Sequence, residues 1–591
     1  MLYPQKFKFD FQTTIMRIAL LTLFLCITII GCKEHTTVSI EDQIQKKAVA
    51  ANAGIASAHP AASQIGLDIL KAGGNAVDAA IATQFALAVC YPVAGNIGGG
   101  GFMVIRNADG TSATLDFREV APAAAHADMY LDEEGNVISG LSTFGHLAAG
   151  VPGSVAGMVA AFDKYSKLKD WQMLIEPSVK LAAAGVELTT REARNLNSRK
   201  DDFLKANTTS TRFTKETPWA KGELLKQPEL AKVMEAIRDH GFDGFYRGWV
   251  ADSIVAEMNR GEGIITLQDL ANYKARWRNP AIGQYKGHEI ISMPPPSSGG
   301  IALQQLLSSI EPYDIGSYGF QSKEAIHLMV EAERRVYADR ATHLGDSDYY
   351  DVPISGLMAD AYNNNRMTSF DSEKASKSDE IEAGTPAPEE SEQTTHFSIV
   401  DAEGNAVSLT TTINTAYGSK VVVGGAGFFL NNEMDDFSAK PGVPNFFGLV
   451  GNEANSIQPG KRMLSSMTPT IVVDPQGQLK IVVGTPGGST IITSVFQTIV
   501  NILDFDMDAS EATQACRFHH QWLPDMTFYE PDCFDQDLIG GLTDMGHVLK
   551  SRDEVTGGNG LIGKIETILV REDGQLEVAA DRRGDDTAMG Y

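Results

Sequence analysis

From Gly54 the chain reads GIASAHPAASQIGLDILKAGGNAVDAAIATQFALAV. The apolar positions Ile65, Leu67, Ile69 and Leu70 predict a helix, which Gly73-Gly74 end because glycine accepts the left-handed conformation of a helix terminus. Residues 76–90 are nearly all apolar or small and predict a second helix, buried on most sides. NIGGGGFMVIR then predicts a glycine-rich turn feeding a strand, and SATLDFREVAP another strand. The stretch 150–390 is mostly amphipathic helix, with ISMPPPSSGGIALQQLLSSI reading as strand, loop and helix. Residues 371–393 differ: eight are acidic, two are Lys and none is aromatic. Such a segment buries too little apolar area to order itself and is expected to be a mobile linker. Beyond it the strand signals HFSIV, AVSLTTTI, TIVVD and KIVVG are dense, and no internal repeat is visible.

THFSIVDAEGNAVSLTTTIN has the form of a β-hairpin, with DAEGN as its turn, because Gly404 and Asn405 accept positive φ. A turn centred on Glu403 makes paired residue numbers sum to 806 and sets Thr394 opposite Thr412. Alternation puts Thr412 and Asn414 on one face, with Val407, Leu409, Thr411 and Ile413 on the other. A Thr-rich strand pair is also common for its own sake, because β-branched residues suit strands.

The 591 residues suffice for several cores, and the net charge of −26 disfavours nucleic acid and anionic membrane surfaces as partners. Met16-Arg17 precede an apolar run that ends at Cys32 and is too short for a comfortable membrane span. It reads as an export signal within residues 1–31, with Met16 as the initiator. Ile29-Ile30-Gly31-Cys32 resembles the bacterial lipoprotein box, in which Cys32 would be lipidated. An anchor helix or an ordinary cleaved signal are the alternatives. The expected location is the periplasm or cell envelope, as a membrane-anchored lipoprotein; Lys33, with no Asp after the cysteine, favours the outer membrane. Cys90 sits in an apolar run and reads as core; Cys516 and Cys533 lack C-x-x-C spacing and suggest neither a zinc site nor a disulfide framework.

Candidate chemistry follows from the hairpin. A threonine hydroxyl is a poor nucleophile and needs a base. If the chain is cut between Gln393 and Thr394, the base is the new α-amine, whose pKa of about 7.7 leaves an appreciable neutral fraction at neutral pH. KIVVGTPGGSTIITSVFQTIV is strand, turn and helix; the N–H groups of Gly487 and Gly488 suit a developing oxyanion. A phosphate loop is discounted because the Walker lysine is missing. Ser465 and Ser466 are paired hydroxyl donors before a strand, and Arg118 lies near a strand end, where an ion pair or a carboxylate fork are both open. Glu433 and Asp436 precede a Pro/Gly-rich loop suited to a lid.

TTHFSIVD, NNEMDDFSAKPGVPN, LSSMTPTIVV, GTPGGS, FHHQWLPD, HPAASQIG, GGNAVDAAIA and NIGGGGFM together resemble the γ-glutamyltransferase family, from about residue 50 to Tyr591. The resemblance implies an α/β N-terminal-nucleophile hydrolase fold, a four-layer αββα sandwich. It implies a zymogen that cuts itself into a large subunit, 32–393, and a small one, 394–591. Thr394 would attack a γ-glutamyl amide such as glutathione and pass the glutamyl group to water or to an acceptor amino acid or peptide. Thr412 would orient the nucleophile, and Gly487 and Gly488 would form the oxyanion hole. Arg118, Ser465 and Ser466 would hold the substrate α-carboxylate; Asn414, Glu433 and Asp436 its α-amine. Neither metal nor organic cofactor is implied.

Phe447 stands where many bacterial members carry a lid tyrosine, Glu433 where some carry Gln, and Met463 replaces a common Pro. His59, His396, His519 and His520 read as structural, because adjacent histidines in a strand face opposite ways. Two rivals are a glutaryl or cephalosporin acylase of the same fold and a non-catalytic peptide-binding lipoprotein. The first lacks a reason for acids beside Arg118, since a glutaryl group has no amine.

Overall fold

In the computed structural model, which describes residues 39–386, 396–556 and 558–591 together with Met1, the expected strands assemble into two seven-stranded sheets. The strands are β1 (Lys47–Ala50), β2 (Gly54–Ser57), β3 (Gly100–Arg106), β4 (Ser112–Asp116), β5 (Val186–Glu187), β6 (Leu224–Leu225), β7 (Arg276–Arg278), β8 (Ala281–Tyr285), β9 (His288–Ser292) and β10 (His396–Val400). They continue with β11 (Ala406–Thr412), β12 (Thr470–Val473), β13 (Leu479–Gly484), β14 (Phe518–His519), β15 (Thr527–Tyr529), β16 (Leu549–Ser551), β17 (Glu566–Val570), β18 (Leu576–Ala580) and β19 (Thr587–Gly590). One sheet runs β1-β18-β17-β13-β12-β9-β8, the other β19-β2-β10-β11-β3-β4-β7. Every pairing in both is antiparallel. Strands from before residue 387 and after residue 395 alternate in blocks within each sheet.

The sheets face each other through Ala56, Phe102, Val104, Ile471, Val482, Ile568 and Val578. The outer face of the first, through Ile290, Val472, Ile481 and Val483, meets helices Gly299–Ile310, Lys323–His343 and Thr490–Leu503. The outer face of the second, through Ile55, Met103, Ile105, Val407 and Leu409, meets helices Pro60–Lys71, Ala76–Cys90 and Trp171–Ala184. The order is helix, sheet, sheet, helix, as expected. Helix Ala76–Cys90 is buried along its whole length, and Asn75 and Asp78 form a reciprocal cap at its start. The hairpin register is the expected one: His396 faces Thr410, Phe397 faces Leu409 and Val400 faces Ala406.

Two expectations are corrected. Residues 371–386 are not a loose linker. Ser376 N–H donates to Glu331 Oε1 at 3.1 Å, Gly384 N–H to Asp339 Oδ1 at 2.8 Å, and Trp522 Nε1 to the carbonyls of Ser378 and Ile381 at 2.9 and 3.0 Å. Buried charged groups of helix Lys323–His343 anchor this stretch, so it orders without apolar area of its own. Cys516 and Cys533 form a disulfide, Cα to Cα 5.7 Å, because antiparallel pairing of β14 with β15 brings them within bridging distance. Cys90 is buried and free, as expected. Among the described residues no helix is long and apolar enough to cross a membrane; the segment ending at Cys32 lies outside them.

Candidate active site

β4 delivers Arg118 two residues beyond its end, into the interior. Its backbone N–H donates to Asp116 Oδ1 at 3.0 Å, and its carbonyl accepts from Tyr273 Oη at 2.7 Å. The guanidinium meets Glu433 Oε2 through Nη1 and Asp436 Oδ2 through Nη2, each at 2.6 Å, with Glu119 Oε2 at 3.7 Å. Groups expected on opposite sides of a substrate are thus in direct contact. One guanidinium faces three carboxylates, all buried. Burial pushes the Glu119 carboxyl up to about 8 and holds Glu433 well above the usual carboxylate range, with Arg118 pulling both down. A further positive charge beside this cluster would favour the ionised form of its carboxyls.

The acids are placed by the turn Glu433–Asp436. Asn431 secures its start, accepting from Glu433 N at 3.0 Å and donating to the carbonyls of Gly98 and Gly150 at 2.9 and 2.8 Å. Thr412, at the end of β11, donates from Oγ1 to Glu433 Oε1 at 2.8 Å and accepts from Asn414 N at 2.6 Å. Asn414 holds φ at 68°, a conformation costly for a non-glycine residue, and its Nδ2 donates to Asn432 O at 2.9 Å. Its Oδ1 is buried without a partner among the described residues.

Ser465 and Ser466 follow immediately on Met463 and Leu464, whose carbonyls lie 3.5 and 3.4 Å from the Arg118 guanidinium nitrogens. Both serines are fully buried, and Arg340 Nη2 donates to Ser466 Oγ at 3.3 Å. Gly487 and Gly488 occupy the turn between β13 and helix Thr490–Leu503, with φ of 151° and 67°. A Cβ on Gly487 would meet Thr490 Oγ1 at 2.6 Å, so the close turn requires glycine there. Asn414, Gly487 and Gly488 line one cavity of about 600 Å³, roofed in part by Phe446 and Phe447. Gln393 and Thr394 lie outside the described residues, three and two positions before β10.

The chain matches the family model for gamma-glutamyltranspeptidase over residues 62–591. It is 46% identical to a glutathione hydrolase proenzyme of Escherichia coli, covering 93% of this chain and 94% of that one. A gamma-glutamyltranspeptidase structure from Helicobacter pylori aligns at 45% identity and TM-score 0.55, covering 56% of this chain and 94% of that one. A cephalosporin acylase structure from Bacillus halodurans shares the fold at TM-score 0.81, with 24% identity over 93% of this chain and 97% of that one. The chain belongs to the γ-glutamyltranspeptidase family.

A loop follows the acidic turn, and its tether is one that sequence reasoning missed. In this γ-glutamyltranspeptidase Asn445 Oδ1 caps the loop, accepting from Phe447 N and Leu449 N at 3.1 Å each. Gln521 Nε2 then donates to the carbonyls of Gly448, Leu523 and Phe447 at 3.1, 3.2 and 3.4 Å. Three acceptors fix the amide, so its Oε1 must face His519 Nε2, 3.0 Å away. His519 therefore carries its proton on Nε2, which leaves Nδ1 to accept from Thr493 Oγ1 at 2.9 Å. Burial lowers this imidazole to about 3 and keeps it neutral. A chain of polar groups thus joins the helix behind Gly487-Gly488 to the lid. The signal was the Gln inside FHHQWLPD, read there only for its histidines. Those histidines are structural, as expected. His59 caps a helix through Nδ1, His396 lies between Thr410 and Ser398, and His520 accepts from Trp522 N.

Proposed function

We propose that this chain is a self-cleaving γ-glutamyltransferase that hydrolyses glutathione and other γ-glutamyl amides and passes the glutamyl group to amino acids or peptides. The observation that carries the reading is the buried cluster in which one arginine faces three acids. An α-amino acid end group satisfies both demands, its ammonium answering the surplus acids and its carboxylate taking donors from Arg118, Ser465 and Ser466. A glutaryl side chain supplies no cation, which disfavours the acylase reading.

Cleavage falls between Gln393 and Thr394. The β10–β11 register, in which His396 faces Thr410, supports the reading that pairs position 394 with Thr412. Thr394 Oγ attacks the Gln393 carbonyl carbon, the peptide C–N bond breaks, and the nitrogen leaves as the α-amine of Thr394. Water then hydrolyses the ester. In turnover that amine takes the hydroxyl proton while Oγ attacks the γ-carbonyl, Gly487 and Gly488 N–H groups receive the oxyanion, and the proton passes to the leaving amine. Water or an acceptor amine releases the glutamyl ester. Thr412 orients the nucleophile, and Asn414, Glu433 and Asp436 take the substrate ammonium. The reading uses neither metal nor organic cofactor. The large subunit is 32–393 and the small one 394–591.

The protein is exported, with Cys32 as a lipid attachment point; the Cys516–Cys533 disulfide agrees with an oxidising compartment. The deciding experiment is intact mass and N-terminal sequencing of wild type beside Thr394→Ala, with γ-glutamyl-p-nitroanilide as substrate. A fragment beginning Thr-Thr-His-Phe in wild type and an inert single chain in the variant support the reading. A single wild-type chain that turns over overturns the N-terminal nucleophile. Fatty-acid labelling lost in Cys32→Ser tests the anchor.

A further inference from the structure

The cavity in front of Asn414 and Gly487-Gly488 is lined by six cationic side chains, Arg191, Arg199, Lys420, Arg552, Lys564 and Arg583, and by one acid, Asp202. This occurs in a chain whose net charge is −26. Four of the six are already answered. Arg191 pairs with Asp585 at 3.3 Å, Arg199 with Asp202 at 3.2 Å and Arg583 with Glu530 at 2.5 Å; Lys564 donates to Tyr91 Oη at 2.5 Å with Asp586 nearby.

Lys420 and Arg552 differ. Neither has a carboxylate partner among the described residues. Lys420 is 7% exposed, and its Nζ donates to Thr415 Oγ1 at 2.9 Å and to Gly418 O. An ammonium has three donors, so one is left over. Its backbone sits at φ 70°, a cost for a side-chain-bearing residue that persists where surroundings or function demand it. Arg552 makes one long bond, Nη1 to Leu561 O at 3.4 Å, although its guanidinium carries five N–H groups. A desolvated, unpaired cation is unfavourable in the empty protein and is repaid by an anionic ligand.

We infer that Lys420 and Arg552, two separate cations of the same lining, make this cavity an anion subsite that draws in the carboxylate of the peptide attached to the γ-glutamyl group, and of an acceptor amino acid or peptide that replaces it. The inference rests on the proposed γ-glutamyltransferase reading. Under it, the glutamyl end binds at the Arg118 cluster and whatever is bonded to the γ-carbonyl extends past Gly487-Gly488 into this cavity. The subsite makes the enzyme select γ-glutamyl amides whose leaving amine bears an acid, and acceptors with a free carboxylate.

The test compares processed wild type, Lys420→Met, Lys420→Arg and Arg552→Gln on glutathione and on its C-terminal glycinamide, whose only change is loss of the carboxylate charge. Wild type is expected to favour glutathione at least about tenfold in kcat/KM, less so as salt rises. Lys420→Met and Arg552→Gln should each shrink that ratio several-fold, and Lys420→Arg should restore most of it. A wild-type ratio near one, or variants that lower both substrates equally, overturns the subsite. If wild type fails on γ-glutamyl-p-nitroanilide, which has no carboxylate on its leaving group, the underlying reading falls and the subsite with it.

Discussion

Replacing Thr412 by Val keeps the shape of a buried residue and removes one oxygen. That oxygen donates to Glu433 Oε1 at 2.8 Å and accepts from Asn414 N at 2.6 Å. A hydrogen bond to a neutral partner, the form burial favours for Glu433, contributes roughly 0.5–1.5 kcal/mol, and a buried N–H left without a partner costs roughly 1–3 kcal/mol. The low ends together are about 1.5 kcal/mol, or about 13-fold in an equilibrium at 1.36 kcal/mol per factor of ten. The loss is local, because both bonds hold the strained turn at Asn414. Hydrogen exchange of the peptide covering 413–418 should therefore accelerate by about that factor in Thr412→Val, while core strands stay protected. Turnover of γ-glutamyl-p-nitroanilide should fall in kcat more than it rises in KM. Thr412→Ser keeps the oxygen and should stay within about threefold of wild type in both readouts. Unchanged exchange in Thr412→Val, or equal losses in Ser and Val, would remove the hydroxyl from the account of the site.

Gln521→Leu and Gln521→Glu both abolish donation to the Phe447, Gly448 and Leu523 carbonyls, and each should speed protease cleavage within 438–451 by about tenfold and raise KM for small donors; an intact lid in the Glu variant would refute the tether. Closing a 17-residue separation, the Cys516–Cys533 bond should contribute about 3 kcal/mol, read as a lower urea midpoint in reducing buffer that is absent from a Cys516→Ala/Cys533→Ala double variant. Burial, with Arg199 adding to it and Asp202 opposing, lowers Lys420 to about 8, so its charge is present below that pH and lost above it. The glutathione-to-glycinamide preference should accordingly fade as pH rises through about 8 in wild type and persist to higher pH in Lys420→Arg; identical profiles would exclude Lys420 as the titrating group.

The hairpin was legible because its register is decided locally. Asp401 Oδ1 accepts from Glu403 N at 2.9 Å and from Asn405 N at 3.0 Å, and Gly404 takes φ 86°, so turn chemistry and strand alternation agree. The site residues around it were legible as motifs, with Arg118, Thr412, Asn414, Glu433 and Asp436 brought together in one connected group. Their mutual pairing was not, since contact between Arg118 and acids more than 300 positions away is a tertiary fact. The same holds for residues 371–386, whose composition argued for disorder while their anchors lay on another helix. The disulfide and the Gln521 tether depend on the short β14–β15 pairing, which is too brief to announce itself by periodicity.

Each large sheet draws strands from both sides of residues 387–395: β1, β8 and β9 with β12, β13, β17 and β18 in one, β2, β3, β4 and β7 with β10, β11 and β19 in the other. Neither piece of a chain cut between 393 and 394 owns a complete sheet. Before the cut, finding the native register is a unimolecular search along a single tethered chain. After it, the same search needs two strangers to meet and interleave, with exposed strand edges inviting wrong partners. Such a cut would act as a ratchet: the lifetime of the cut enzyme would be governed by how slowly it first unfolds, and what unfolds would not be recovered.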